Sequence, residues 1–570
     1  MKNIYRYQKT FLLILAAFFA MQMPAQAKDG DELLSLLKES MTEEFAKYSG
    51  KELPLYYMNY RVYDMQTTSI DAAMGAIVRS QENTPRRLFT VTSRVGDYSF
   101  DNYHITKETQ NNRSSQKWLP WGSQFELSAK EDIERSVEEA YDASKEDYNK
   151  RKAIVNMSAD KNDTVHDFSR ESVVSYYDTP YAKKDLKLNI KNWEKQLANV
   201  SAIGKSYPEI HNSYAAVQVQ PIRKYYVSSE GSDIVENELF VIAYIQIATK
   251  DSKGNPVSLF KMWRPETVAQ LPTEGEMKGE MEKLITKLMQ LKEAPFADPY
   301  SGPVLFSNQA AGVFFHEIFG HRVEAHRFKS DTDGQTFKSK LGELVLPKEF
   351  SVYMDPTINK YKGQYLFGSY KYDDEGVNGQ RVTLVKDGKL NDFLYNRTPV
   401  DGRSKSNGHG RADIGNNAVS RQSNLIVETT NLLSAKGIRD AFIDELKAQG
   451  KEFGYYVDEV SGGLAMTGRM LPNSFNVFPV ITYKVYVDGR PDEMVRGLNI
   501  IGTPLSVFSN VIKAGEDKPD IFNGMCGAES GWLRVSAVSP MLLIKQVETQ
   551  KAMEGNEKPF ITPRPVPTSK

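Results

Sequence analysis

Apolar residues recur at helical spacing in four segments of the chain. In residues 29–48, Leu34, Leu37, Met41 and Phe45 lie three or four positions apart, which places them on one face of an α-helix. The same spacing predicts helices over residues 129–152, 277–291 and 433–449, the first of them with a charged, solvated outer face. Aromatic and β-branched runs predict strands at residues 55–64, 225–227, 238–249 and 256–263.

The pattern changes at residues 295–303, which are dense in Pro and Gly and predict a linker. A short strand at 304–306 follows, and Ser307 or Asn308 is expected to cap a helix that runs to about Phe328. From residue 351 onward we expect strands joined by Gly-containing turns, with hairpins at 386–389 and 487–490. The chain therefore divides near residue 295 into two domains, residues 28–295 and 296–548, and residues 549–570 form a Pro-rich tail.

The first 27 residues have the pattern of a secretory signal peptide. Lys2, Arg6 and Lys9 precede an uncharged apolar run from Phe11 to Met21, and residues 25–27 (Ala-Gln-Ala) offer a cleavage site. The run is too short to span a bilayer comfortably, and no Cys follows it that could carry a lipid. We therefore expect an exported protein, periplasmic or secreted, without a stable membrane anchor.

Composition excludes several classes of protein. Across 570 residues, 40% are hydrophobic and 25% are charged, which fits neither a polytopic membrane protein nor a disordered polymer. The formal net charge of −1 gives no indication of a nucleic-acid partner. Because Cys526 is the only cysteine, an intramolecular disulfide and a four-cysteine metal site are both excluded. An exported lone thiol also risks oxidation unless it is buried, paired or bound to metal.

Candidate chemistry concentrates in one short segment. Three of the seven histidines, His316, His321 and His326, fall within eleven residues, and apolar side chains such as Phe314 and Phe315 surround them. A buried His or Glu has to be paired or bound to metal, because an isolated charge is costly in an apolar interior. The segment therefore predicts either a metal site or a buried hydrogen-bond network without metal, and residues alone leave both open.

The spacing H-E-x-x-x-H constrains the backbone. Residues five apart on a regular α-helix lie about 140° apart, so His316 and His321 cannot easily reach one ion. We predict a widened or broken turn around residues 319–321, with Gly320 as the natural place for it. A regular helix there would contradict a pair of histidine ligands.

A catalytic zinc ion usually has three protein ligands and one open position. After His316 and His321, the third ligand is Cys526, in a Gly-flanked loop, or Glu324, three residues beyond His321; we favour Cys526 because metal binding would also protect the thiol. Glu317 follows the first histidine and is placed to move a proton to and from the reacting groups. We expect His326 to be structural or to support a ligand.

The sequence resembles the TldD/PmbA family of metallopeptidases, and within it the metal-bearing, TldD-like branch. Motifs occur in the family's order across residues 303–545, at 303–306, 312–325, 373–376, 380–381, 385–390, 407–411, 495–497, 500–502 and 525–527. Several motifs in one order are far more specific than a single histidine pair.

The resemblance implies zinc bound by His316, His321 and Cys526, with Glu317 as general base. It implies an α+β fold, with an α/β N-terminal domain followed by a largely antiparallel β C-terminal domain that carries the metal-site helix. It also implies a dimer, homomeric or formed with a family paralogue, that hydrolyses short or unfolded peptides in an enclosed cavity.

One loop departs from the family pattern, because residues 406–413 lack the usual adjacent arginines. His409 and Arg411 in this loop are candidate substrate contacts, although an exposed loop histidine is an equal alternative. The competing function is an exported, non-catalytic peptide-binding or assembly partner with a structural zinc. A thiol redox protein is disfavoured, because no resolving cysteine exists in the chain.

Overall fold

The computed structural model describes residues 30–105, 116–122, 125–157, 165–329, 333–400, 402–468, 474–516 and 520–552. The predicted signal peptide, residues 1–27, lies outside these ranges. The α-helices in the described ranges are α1 (Glu32–Ser49), α2 (Glu126–Met157), α3 (Ile190–Ala202), α4 (Glu274–Glu293), α5 (Asn308–Ile318), α6 (Ala435–Ala448) and α7 (Pro504–Phe508). None of these helices is long and apolar enough to cross a membrane.

A seven-stranded sheet organises the first half of the chain, in the order β3-β2-β1-β5-β6-β4 with β7 beside β6. Its strands are β1 (Leu55–Ala73), β2 (Ala76–Val95), β3 (Gln116–Trp118), β4 (Ser175–Tyr177), β5 (Asn212–Ser228), β6 (Asp233–Lys250) and β7 (Pro256–Trp263). Neighbouring strands are antiparallel except β4, which runs parallel to β6.

The two faces of this sheet have different partners. On one face of β1, Tyr60 packs in the cluster that contains α1 and α2, and Ile70 packs in the cluster that contains α3 and α4. On the opposite face, Arg61 donates to the carbonyl oxygen of Ala412 at 3.2 Å. This alternation follows from the two-residue period of a strand. The helices therefore cover one side of the sheet, and the second half of the chain covers the other.

Two further sheets form the second half. One has the order β13-β12-β9-β16-β24-β23, and the other has the order β17-β22-β25-β21-β19-β18-β8 with β20 beside β19. Their strands are β8 (Tyr300–Phe306), β9 (Phe350–Met354), β12 (Val382–Lys386), β13 (Lys389–Leu390), β16 (Asn424–Thr429), β17 (Leu432–Leu433), β18 (Phe453–Met466), β19 (Ser474–Tyr486), β20 (Glu493–Val495), β21 (Leu498–Gly502), β22 (Val511–Gly515), β23 (Phe522–Ala528), β24 (Gly531–Val538) and β25 (Met541–Lys551). Two short pairs complete the strands: β10 (Lys360–Tyr361) with β11 (Gln364–Tyr365), and β14 (Gly410–Arg411) with β15 (Val419–Ser420).

Helix α5 lies between these two sheets. Phe314 packs against Phe306 and Phe475 of the eight-stranded sheet, and a side chain at Gly312 would approach the carbonyl oxygen of Ala537 in β24 to 2.7 Å. Only glycine allows the helix and β24 to come this close. The short, apolar α5 is thereby fixed on both sides, which positions the segment that carries the histidines.

The observed fold is α+β, as predicted. The four predicted helices are present as α1, α2, α4 and α6, and the hairpin at 386–389 is the turn between β12 and β13. The hairpin at 487–490 connects β19 to β20, in which Lys484 pairs with Glu493. The division near residue 295 stays a prediction, although the seven-stranded sheet ends with Trp263 and the other two sheets begin with Tyr300.

Three boundaries differ from prediction. The helix expected to reach Phe328 ends at Ile318 and continues as two 3₁₀ turns, Gly320–Arg322 and Ala325–Lys329. The expected linker is already strand from Tyr300, because Tyr300 pairs with Thr549 of β25. For the same reason β25 extends to Lys551, past the expected start of the tail at residue 549; residues 553–570 lie outside the described ranges.

Candidate metal centre

Helix α5 ends between the two candidate histidine ligands. The Ser307 side chain caps its first turn by accepting from the Ala310 amide at 3.2 Å, so the predicted cap is found. The helix stops at Ile318, Phe319 has φ −119° and ψ −51°, and His321 lies in the following 3₁₀ turn. The predicted broken turn is present, as a helix end rather than a widened turn. It brings the rings of His316 and His321 to 4.9 Å between centroids.

Strand β23 supplies the third member of the cluster. The Cys526 sulfur lies 3.3 Å from Nε2 of His321, although 205 residues separate the two in sequence. One donor atom from each of His316, His321 and Cys526 lies within 4.8 Å of the others, and all three side chains are buried. The structure thus brings together the three residues that the sequence suggested as ligands.

Glu324, the rival third ligand, lies on the other side of His321. Its Oε2 is 3.2 Å from Nδ1 of His321 and also accepts from Arg327 at 3.0 Å. A carboxylate on one ring nitrogen fixes the tautomer and turns the other nitrogen toward a metal. Glu324 therefore orients His321. Among the described residues, Cys526 rather than Glu324 supplies the third donor atom near His316 and His321.

The buried charges favour a thiolate at Cys526. Burial disfavours the charged thiolate, but the neighbouring His321 and His316 lower the pKa of Cys526 well below its ordinary value. Burial likewise opposes protonation of His321, yet Cys526 and Glu324 raise the pKa of His321 well above its ordinary value. Without metal these pKa directions favour an ion pair between Cys526 and His321, and a bound cation would take the place of the proton.

Glu317 lies next to the cluster on the last turn of α5. It is buried against Gly463 of β18, where a Cβ atom would come within 2.4 Å of the Glu317 Cγ. Burial raises the pKa of Glu317, while His316 and His321 pull it back down. The net effect is a pKa above the ordinary value of a glutamate, and the carboxyl group lies beside the donor cluster, where it is placed to exchange a proton.

The structure adds residues that the sequence reasoning did not single out. Arg421 donates to the Cys526 carbonyl oxygen at 2.9 Å and to its sulfur at 3.3 Å. Gln422 donates to the carbonyl oxygen of His316 at 3.3 Å. Both belong to a buried polar run, residues 420–424, that leads into β16. The sequence signal that could have found them is a run of polar residues directly before an apolar strand, because polar residues that such a strand carries into the interior need hydrogen-bond partners.

The remaining sequence candidates contact the surrounding scaffold. Nε2 of His326 lies 2.5 Å from Oε1 of Glu529. His409 is fully buried rather than exposed, so that alternative is wrong; burial lowers its pKa to about 3, and its Nδ1 lies 3.1 Å from the Asn407 carbonyl oxygen. The Arg411 guanidinium donates to the carbonyl oxygens of Gln422 and Arg534. His409 and Arg411 thus both make hydrogen bonds within the protein itself.

The donor set fits zinc. Two imidazoles and one thiolate are ligands that zinc accepts, and three protein ligands leave a position for water or substrate. Nδ1 of His316 is buried and has no hydrogen-bond partner among the described residues, which is costly unless another group binds there.

Comparison with known proteins identifies the second half of the chain. A family model described as the PmbA/TldA metallopeptidase C-terminal domain matches residues 299–551. A metalloprotease of Methanocaldococcus jannaschii is 31% identical over 40% of this chain and 46% of its own length. A zinc metalloprotease TldD homolog of Saccharolobus solfataricus is 23% identical over 66% of this chain and 79% of its own length. The chain spans about half the length of several of the curated relatives that it matches.

Solved structures extend the likeness to the whole fold. TldE from Thermococcus kodakarensis has a TM-score of 0.58 at 13% identity, covering 90% of this chain and 99% of its own. A Thermotoga maritima protein described as a candidate modulator of a DNA gyrase has a TM-score of 0.57 at 16% identity, with the same coverage. At such identities these structures show the fold alone. The domain match over residues 299–551 and the metalloprotease relatives support the assignment of this part of the chain to the TldD/PmbA family.

Proposed function

We propose that this protein is a zinc-dependent peptidase, exported from the cytoplasm, that hydrolyses short or unfolded peptides. The observation that carries the proposal is the convergence of His316, His321 and Cys526 donor atoms within 4.8 Å, beside the Glu317 carboxyl group. The metalloprotease names of its relatives agree with this chemistry.

His316, His321 and Cys526 would hold the zinc ion. When bound, zinc polarises a carbonyl group and lowers the pKa of water. Glu317 accepts a proton from the attacking water and later delivers it to the leaving amine nitrogen. Glu324 keeps His321 in the tautomer that presents Nε2 toward Cys526.

The free edge of β18 is a suitable place for an extended peptide. β8 pairs with β18 only along Tyr455–Val457, and no described strand pairs with that side of β18 beyond it, where the Val460 amide donates to Oε1 of Gln309 at 3.2 Å. The uncovered part includes Gly463, which lies against Glu317. A peptide added there would pair main chain with main chain, independent of its side chains, and bring a scissile bond to the general base.

The competing function, a non-catalytic peptide-binding or assembly partner with a structural zinc, calls for a closed site. Structural zinc sites generally have four protein ligands. Among the described residues three donors converge, and Glu324 is engaged with the far nitrogen of His321. This arrangement favours the open, catalytic site.

The setting and the assembly belong to the same proposal. The signal-peptide pattern of residues 1–27 supports export to the periplasm or the exterior. We propose a dimer, homomeric or with a family paralogue, that encloses the site and restricts access to short or unfolded chains.

The test compares zinc content and peptide cleavage in the mature protein and its variants. Glu317→Ala should keep zinc and lose about 10²–10⁴-fold in turnover, because a general base is removed. Cys526→Ala should lose zinc. Glu282→Ala, a change at an exposed carboxylate on α4, should keep both and serves as the control. Full activity in Glu317→Ala and Cys526→Ala would refute the proposal.

A further inference from the structure

Arg421 is buried beside the candidate zinc ligand Cys526. Its side chain is 1% exposed, and its Nη2 donates to both the carbonyl oxygen and the sulfur of Cys526. Nη1 donates to Oγ of Ser530 at 2.8 Å, in the turn that joins β23 to β24. The guanidinium therefore binds the hairpin of β23 and β24 at two residues, Cys526 and Ser530.

The same guanidinium also lies close to Glu324, the carboxylate that orients the candidate ligand His321. Nε of Arg421 lies 3.5 Å from Oε1 of Glu324, whose other oxygen is 3.2 Å from Nδ1 of His321. Neither Nε nor Oε1 has a hydrogen bond within the described residues, so their contact is ionic. A continuous chain of contacts thus runs from His321 through Glu324 and Arg421 to Cys526.

Arg327 is a second buried arginine that contacts Glu324. It shares Glu324 with Arg421, since its Nη2 lies 3.0 Å from Oε2 of Glu324, and it also binds Glu529. Within the described part of the chain, no hydrogen bond or ion pair joins Arg327 to His316, His321 or Cys526. Arg327 alone can balance the negative charge of Glu324. The contact of Arg421 with the Cys526 sulfur therefore needs a separate explanation.

We propose that Arg421 is a positioning residue for the zinc site: it holds Cys526 at a fixed separation from His321 and reduces electron donation from the cysteine sulfur to the metal. A hydrogen bond to a thiolate stabilises charge on the sulfur, so the bound ion stays more electron-poor. The planar fork is suited to this task, because it reaches the sulfur, the carbonyl oxygen and Ser530 together. The inference rests on the proposed zinc function.

The experiment uses Co²⁺ as the probe in the full mature chain, because cobalt bound to a thiolate gives a sulfur-to-metal charge-transfer band. Arg421→Met should shift this band to lower energy and weaken metal binding by about 10–100-fold, as expected for loss of a supporting contact. Arg421→Lys keeps the charge without the fork and should lie between wild type and Arg421→Met.

Arg397→Met is the matched control. Arg397 is also 1% exposed and forms an ion pair with Glu230 at 2.8 Å, so its loss removes a buried guanidinium outside the metal site. It should lower stability and leave the cobalt band where wild type has it. A shift in Arg421→Met with none in Arg397→Met supports the positioning role over a purely structural one.

The outcomes separate the two proposals. A wild-type protein without a sulfur-to-cobalt band would overturn the proposed zinc site, and this inference with it. A wild-type band that Arg421→Met leaves unchanged in energy and affinity would overturn the inference alone. If Arg421→Met does not fold, Arg421→Lys decides, since an unshifted band in a folded lysine variant contradicts the role of the fork.

Discussion

Gly320 separates the two candidate histidine ligands, and its missing side chain makes room for Gln422. A Cβ atom at position 320 would lie 1.9 Å from Oε1 of Gln422, and Nε2 of the same side chain donates to the His316 carbonyl oxygen. The backbone at Gly320 is an ordinary 3₁₀ turn rather than a left-handed one. Space, not conformational freedom, is therefore what glycine supplies between the ligands.

Gly320→Ala should consequently weaken the site through packing. The new methyl group has to displace Gln422 and with it the end of α5, at a cost of about 1–3 kcal/mol. The temperature of thermal unfolding and the zinc content should both decrease. Gly279→Ala is the control: it lies in α4 with open space around it, and removing a helical glycine should stabilise by about 1 kcal/mol. An unchanged zinc content in Gly320→Ala would contradict this role.

The residues predictable from sequence were those of rare type in a distinctive spacing. His316, His321 and Cys526 stood out because the chain has seven histidines and one cysteine. Arg421 did not, because arginine is common and its importance depends on which side chains lie next to it after folding. Its partners Cys526 and Glu324 are each about 100 residues away along the chain, and no local pattern encodes that meeting.

At the scale of the element, α5 ends at Ile318, before the predicted end near Phe328. Arg322 explains the early end, because its guanidinium donates to the carbonyl oxygens of Glu317 and Ile318, at 2.6 and 3.4 Å. These carbonyl groups would otherwise be satisfied by amides of a further helical turn. The capping residue at Ser307 or Asn308 predicted where the helix begins, but the side-chain cap by Arg322 was not visible in the sequence as a stop signal.

The start of α5 offers a test of how far the helix supports the site. Ser307→Ala removes the acceptor for the Ala310 amide and should cost about 1 kcal/mol. Ser434→Ala removes the same cap from α6, where Ser434 accepts from Gly437 at 3.1 Å. Both changes should lower the melting temperature, and only Ser307→Ala should accelerate zinc loss to a chelator. Equal loss rates would mean that the helix end is held by packing alone.

At the scale of the molecule, the order of the two halves could be predicted, but their arrangement could not. Both faces of β1 are largely buried, one by helices and one by the second half of the chain, so its sequence has no polar face to identify. The candidate site similarly combines the end of α5 with β23, from opposite ends of the second half. Long-range pairing of this kind is decided by tertiary packing rather than by local propensity.

Because the metal would join two distant segments, its removal should destabilise the whole second half. A ligand bound only to the folded state adds about 2.7 kcal/mol when its free concentration is 100 times Kd. Thermal unfolding of the zinc-loaded protein should therefore occur at lower temperature after treatment with a chelator. Cys526→Ala should melt at one temperature whether or not chelator is present, because it has already lost the third ligand. A chelator effect of the same size in Cys526→Ala would place the stabilising metal elsewhere, and no effect in wild type would mean that β23 and α5 are held together without it.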